Sequence, residues 1–265
     1  MDYKFLAYGC PHEPITHKDY REWLFKNIED YQPDYIVNLG DWFEGLGAKR
    51  WDRHPSETWT IRQEFEAVAK HAQTINELCP ASKKIFIFGN HDSNLLHEPH
   101  RMTEDQRDLV MMCWHELLSK ELKGWIIPCK QYAHSEFFRL GQITFQHGCN
   151  TGKGIANSHL AKQAFDYGVP YGLHVSAHTH APVPVTQVRY LDTFTPYWFA
   201  NVGTGADWEK MHYMTRASKS LWGRGLLRGT VSRRSVDQRK AFYSSPQWQA
   251  ELLVHSYASA NRFIA

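Results

Sequence analysis

Tyr35-Ile36-Val37-Asn38-Leu39-Gly40-Asp41-Trp42-Phe43-Glu44 is an apolar, β-branched run that ends abruptly in glycine and two carboxylates. It reads as a buried strand with a charged group placed just beyond its carboxyl end. The same arrangement recurs on either side. Lys4 to Gly9 leads into Cys10-Pro11-His12, and Lys84-Ile85-Phe86-Ile87-Phe88 leads into Gly89-Asn90-His91-Asp92. Two helical patterns separate these runs. Asp19 to Tyr31 lines up Tyr20, Trp23, Leu24, Ile28 and Tyr31 and stops at Pro33. The second, with Ser56 as its N-cap, lines up Ile61, Phe65, Val68, Ala72, Ile75 and Leu78. Strand, helix, strand, helix, strand predicts a parallel sheet with right-handed crossovers, whose functional groups gather beyond the strands' carboxyl ends. All three motifs lie there.

Further along, Thr103 with Gln106 forms a capping-box pattern that opens a helix through Leu109, Val110, Cys113, Leu117, Leu118 and Leu122. Trp125-Ile126-Ile127 reads as a short strand, and Glu136 to Gln146 as a hairpin turning near Gly141 and delivering His147-Gly148. A loop with Gly148, Gly152 and Gly154 leads to a helix over 157–167, capped by Gly168. Leu173 to Ser176 is another strand, followed by Ala177-His178-Thr179-His180. Beyond it the helical patterns stop. Val183 to Val188, Tyr197 to Ala200, Gly225 to Val231 and Ala250 to Tyr257 read as strands of a second, mostly antiparallel sheet. No linker, repeat or low-complexity tract divides the chain. The expectation is one domain over 1–265, with a motif core at about 4–185 and C-terminal strands in a basic, Trp-rich segment at about 186–265.

Composition excludes more than it selects. No run of 18 or more apolar residues is present, so no membrane-spanning helix is expected. Five scattered cysteines do not make a disulfide framework in a chain of 265 residues, and a cytoplasmic location is expected. A net charge of +2 selects no partner.

Taken singly, each motif has a plainer reading: a turn aspartate, a surface histidine, a buried cysteine acting as a small hydrophobe, an asparagine in a turn. Together they recur at successive strand ends, which chance does not readily produce. The chemistry that uses such a set is phosphoester cleavage. Two divalent cations about 3.5–4 Å apart neutralise a phosphate and activate a bridging water. Imidazole, carboxylate and amide oxygen together suit manganese, iron, nickel or zinc better than magnesium or calcium. Alternate residues of an extended segment point the same way, so Cys10 with His12, and His178 with His180, are each expected to supply two groups to one pocket.

The ordered set Cys10-x-His12, Gly40-Asp41-x-x-Glu44, Gly89-Asn90-His91-Asp92, His147-Gly148 and Ala177-His178-x-His180 resembles the calcineurin-like metallophosphoesterases. That family's pattern has Asp where Cys10 stands, Asp or Gly where Glu44 stands, and Gly where Ala177 stands. The resemblance implies a four-layer α/β/β/α sandwich and a dinuclear site for two divalent transition-metal ions (manganese, zinc, iron or nickel). It implies one metal on Cys10, His12, Asp41 and His180, and the other on Asp41, Asn90, His147 and His178. Asp41 bridges the pair, His91 faces the scissile phosphate as acid or stabiliser, Asp92 orients His91, and Glu44 supports a ligand. Cys10 is the serious departure. A thiolate binds zinc or iron at about 2.3 Å, against roughly 2.0–2.2 Å for a carboxylate oxygen. A softer but intact first site is the favoured expectation. The competing one is a degenerate first site and a non-catalytic metal- or nucleic-acid-binding protein. No cysteine begins a Cys-x5-Arg phosphate cradle, which argues against Cys10 as a nucleophile.

The stretch 216–240 is basic, and Arg224 and Arg228 in it are candidate substrate contacts for DNA, RNA or a nucleotide. Trp198, Trp208, Tyr213 and Trp222 are candidate base-stacking rings. The layout is similar to phage and prophage members of the family, for which host cytoplasm is the expected location.

Overall fold

In the computed structural model, the residues described are 2–48, 58–96, 102–128, 137–148, 172–188, 197–212, 214, 219–237 and 247–255. Two five-stranded sheets carry the fold. In the first, β1 (Tyr3–Tyr8), β2 (Tyr35–Asn38) and β3 (Lys83–Phe86) run parallel, as expected. Helices α1 (Lys18–Tyr31) and α2 (Ile61–Leu78) are the crossovers. The α1 helix ends because Gln32 turns left-handed ahead of Pro33. The start of α2 corrects the sequence expectation. Its cap is Thr60, not Ser56, and Thr60 and Gln63 satisfy each other's backbone N–H groups in a capping box. The box expected at Thr103 and Gln106 opens α4 (Glu104–Cys113). Between them lies α3 (Asn90–Leu96). The helical path continues past Cys113 as a wider π turn over Trp114–Leu118. The strand expected at Trp125-Ile126-Ile127 is a single bridge, Ile126 against Ile85 at the edge of β3.

The second sheet has the order β4-β5-β6-β8-β7, with β4 (Phe138–Leu140), β5 (Ile143–Phe145), β6 (Gly172–Ser176), β7 (Val183–Val188) and β8 (Tyr197–Asn201). Its central strands β5, β6 and β8 are parallel. The C-terminal strands are therefore redistributed. Only β7 and β8 join the second sheet; β9 (Gly225–Val231) pairs antiparallel with β1, and β10 (Trp248–Val254) with β9. The reason is the free edge of β1, whose other side is already taken by β2. The expectation of no further helix is also corrected by α5 (Arg233–Asp237). The helix expected over 157–167 lies outside the described residues.

Side-chain alternation along the strands makes two cores. Phe5, Ala7, Val37 and Ile85 of the first sheet meet Ile143, Phe145, Leu173 and Val175 of the second. Leu6, Tyr8, Ile36 and Phe86 face the other way, onto Leu24 and Ile28 of α1 and Phe65, Val68 and Ile75 of α2. Helices, sheet and sheet thus stack in layers, an α/β sandwich with both faces of the first sheet covered.

Candidate metal centre

Parallel strands from both sheets end along one line, and the motif residues sit just past those ends. Pairing outlasts the strands there. The Cys10 N–H donates to the Gly40 carbonyl (2.8 Å) and the His12 N–H to the Asp41 carbonyl (3.0 Å). The backbone turns left-handed at Cys10 (φ 50°), His12 (φ 53°), Asp41 (φ 49°), His178 (φ 58°) and His180 (φ 61°). This corrects the extended-strand argument for the two i, i+2 pairs: both members of each pair have a left-handed backbone, and His178 and His180 reach different clusters. Each such residue costs about 1–2 kcal/mol, which tertiary contacts must offset. At Cys10 the carbonyl accepts from the Gly205 N–H (2.9 Å) and the Thr204 hydroxyl (2.8 Å). Ala177 is outside the left-handed set, so alanine is unstrained there, and its Cβ fills the space that Gly9 leaves. Any side chain on Gly89 would collide with the Asp41 carboxylate.

Two pockets share Asp41. In the first, donor atoms of Cys10, His12, Asp41 and His180 all lie within 4.8 Å of one another. In the second, Asp41, His147 and His178 do the same, and the Asn90 Oδ1 is 3.2 Å from His147 Nε2. The ring nitrogens show what these pockets are shaped for. His12 Nδ1 is bound to the buried Glu44 carboxylate (2.6 Å), and His147 Nδ1 to the Leu39 carbonyl (2.6 Å). Each Nδ1 is therefore an N–H donor, so that once Nε2 gives up its own proton to a cation its lone pair points inward. His12 Nε2 then faces His180 Nε2 at 3.1 Å, and His147 Nε2 faces His178 Nδ1 at 3.1 Å and Asp41 Oδ2 at 3.2 Å. Converging lone pairs of this kind fit a cation.

Protonation follows the same logic. Burial works to raise the Asp41 carboxyl, but His147, His91 and His12 outweigh it and hold it well below the usual range. Burial, then the His147 ring, pushes His178 down to about 3; burial, then His12, lowers His180 well below its usual value. Ionised carboxylate and neutral imidazole are the ligand forms metals require. Burial works to lower His147 too, but Asp41 and the Leu39 carbonyl raise it, so a cation displaces a proton there. Burial and the Asp41 charge push the Cys10 thiol up, a preference that a bound cation reverses.

His91 stands at the mouth of the site, its side chain 23% exposed and its ring edge-on to His12. Its backbone N–H donates to Asp41 Oδ1 (2.8 Å). The ring Nδ1 donates to the Glu44 carbonyl (2.9 Å), and Glu44 Oε2 is 3.6 Å away. Burial works to lower its pKa, yet Asp41 and Glu44 raise it to about 9. The expectation that Asp92 orients this ring is corrected. The Asp92 oxygens accept from the backbone N–H groups of Trp42, Phe43 and Gly89, which ties the β2 and β3 exits together. The residue that holds the His91 ring is Glu44.

The sequence reading missed Glu13. It is buried, bound to Arg21 Nη2 (2.6 Å) and His71 Nδ1 (2.9 Å), and its carbonyl accepts the Glu44 N–H (3.1 Å). Its signal was an acidic residue beside His12 in a segment otherwise shut off from water. The two arginines proposed for substrate are not drawn into the metal cluster. Arg224 is buried, with Nε on the Ala206 carbonyl (3.1 Å) and its guanidinium 3.7 Å above the Trp208 ring. Arg228 lies level with Leu6, four residues before Cys10, and is paired with Glu251. Arg233 reaches the Tyr3 ring near the opposite end of β1. These basic residues are spread over β9 and just beyond its two ends rather than massed at the site. Among the stacking candidates, Trp198 packs on Trp248, and Tyr213 lies outside the described residues. Trp222 lies 4.3 Å from the His180 ring, fixed there by a Gly223 N–H bond to the His180 carbonyl (3.0 Å).

The calcineurin-like phosphoesterase family model matches residues 3–182. No curated protein matches the chain. Solved structures of similar shape include a single mutant of Vps29 from Entamoeba histolytica (9% identity, 96% of this chain and 99% of that one, TM-score 0.43). Others are the E. coli phosphoesterase Yfce (15%, 89% and 94%, TM-score 0.40) and Chaetomium thermophilum Vps29 (14%, 96% and 98%, TM-score 0.43). The family match spans every strand end that feeds the centre, and the chain belongs to the calcineurin-like phosphoesterase family.

Proposed function

We propose that this protein hydrolyses a phosphodiester at a pair of divalent cations held by Cys10, His12, Asp41 and His180 on one side and Asp41, Asn90, His147 and His178 on the other. The observation that carries the reading is the pair of nitrogen-lined pockets sharing one carboxylate. Bound there, the ions supply charge neutralisation for the phosphate and an activated water. The chain's own groups do the rest. Water adds at phosphorus, the bond to the leaving oxygen breaks, and that oxygen takes a proton. His91 is the group to deliver it: its Nδ1 is occupied by Glu44, which leaves Nε2 for the substrate. Glu13, itself held by His71 and Arg21, holds Glu44 by its backbone, and Asp92 locks the loops beneath. Trp222, beside His180, offers a flat wall to a nucleobase or other aryl leaving group, favouring a nucleotide-sized ester.

The test is turnover of bis-p-nitrophenyl phosphate with manganese, nickel or zinc, beside a panel of monoester and single-stranded DNA substrates. Asp41→Asn abolishes activity, and His91→Ala lowers kcat by about 10²–10⁴-fold. Tight, salt-sensitive DNA binding with no turnover under any metal would instead establish a non-catalytic binder.

A further inference from the structure

The two pockets are chemically unequal. One presents a sulfur, two imidazoles and an oxygen of Asp41; the other presents the Asn90 amide oxygen, two imidazoles and Asp41. Thiolate is a soft ligand that selects zinc or iron, whereas an oxygen and imidazole set also accommodates manganese. The Cys10 sulfur is placed for ligation and little else. The residue is wholly buried, its backbone is pinned by Gly40, Gly205 and Thr204, and the His178 N–H donates to Sγ at 3.2 Å. A backbone amide on the sulfur orients it and tunes its basicity, as partners beyond the ligands do at metal sites. Among the described residues no other cysteine shares its core. Cys79 and Cys113 belong to the helical core, while Cys10 belongs to the core between the sheets, so neither is a disulfide partner.

We propose that Cys10 makes this a sorting centre. A thiophilic ion, zinc or ferrous iron, occupies the pocket of Cys10, His12, Asp41 and His180. The pocket of Asp41, Asn90, His147 and His178, with no thiolate, takes manganese where zinc is limiting. This rests on the reading above that a pair of cations is held here, and it assigns each pocket a different ion.

The metal-stripped full chain loaded with cobalt(II) is expected to show a sulfur-to-cobalt charge-transfer band in the near ultraviolet. Cys10→Ser and Cys10→Asp lose the band while keeping the wild-type far-ultraviolet dichroism. After loading with one equivalent of zinc and a large excess of manganese, elemental analysis of the wild type gives one of each per chain. In Cys10→Asp the zinc-to-manganese ratio falls by about tenfold or more, at least the loss that removing a group behind a ligand causes. Bound cobalt without the band, or an unchanged ratio in Cys10→Asp, overturns the proposal. No metal bound by either protein overturns it together with the paired-cation reading. Sorting with no hydrolysis of any phosphoester upholds it and overturns only the hydrolase reading.

Discussion

At Glu44 one buried carboxylate meets two imidazoles, 2.6 Å from His12 Nδ1 and 3.6 Å from His91 Nδ1. Replacing it by glutamine keeps the shape and removes the charge that fixes the His12 tautomer. Glu44→Gln should weaken metal binding by about 10–100-fold, measured by competition with a chelator. Wild-type affinity in that variant would remove Glu44 from the site's working parts. The motif residues themselves were legible because each follows an apolar run. Their partners were not. Leu39 holds His147 through a carbonyl, and Asp92 spends its oxygens on three backbone N–H groups. Those contacts depend on left-handed backbone at Cys10, His12 and Asp41, residue types that do not announce such a conformation as glycine does.

On β6, His174 is buried on the sheet's outer side, between Thr144 of β5 and Phe199 of β8, with no hydrogen-bond partner for either ring nitrogen among the described residues. Burial pushes its pKa down to about 4. The unfolded chain therefore takes up this proton near pH 6.5 and the folded one near pH 4. Stability is full above pH 6.5 and falls as pH drops between the two values, by about 3 kcal/mol when complete. Urea unfolding at pH 7 and pH 5 should show the loss, and His174→Leu should lessen it without destabilising the protein at pH 7. If the pH dependence survives that substitution, another group is responsible. Periodicity located most elements well, including β9 at Gly225–Val231. It failed where the outcome depends on distant partners. Nothing local distinguishes β7 and β8, which join one sheet, from β9 and β10, which join the other. The start of α2 was misplaced because Thr60 with Gln63 completes a two-way box that Ser56 does not.

Across the whole molecule, Cys10, His12, Asp41 and Asn90 come from the first sheet's strand ends, and His147, His178 and His180 from the second's. A cation in either pocket therefore ties the sheets together. Each ion at a hundredfold excess over its Kd adds about 2.7 kcal/mol. Thermal unfolding should shift downward on adding EDTA in the wild type and stay unmoved in Asp41→Asn; equal shifts in both would place the stabilising ion elsewhere. The strand order has a second effect. The family match ends at residue 182, yet β8 lies inside the second sheet and β9 covers the edge of β1. A fragment of residues 1–182 should aggregate, and a monomeric, folded one by gel filtration would contradict this. Synthesis meets the same constraint in time. Tyr3 is made well before its neighbour across the ladder, Val231, and most of both sheets is synthesised between them. Until β9 emerges, β1 waits with one side unclaimed.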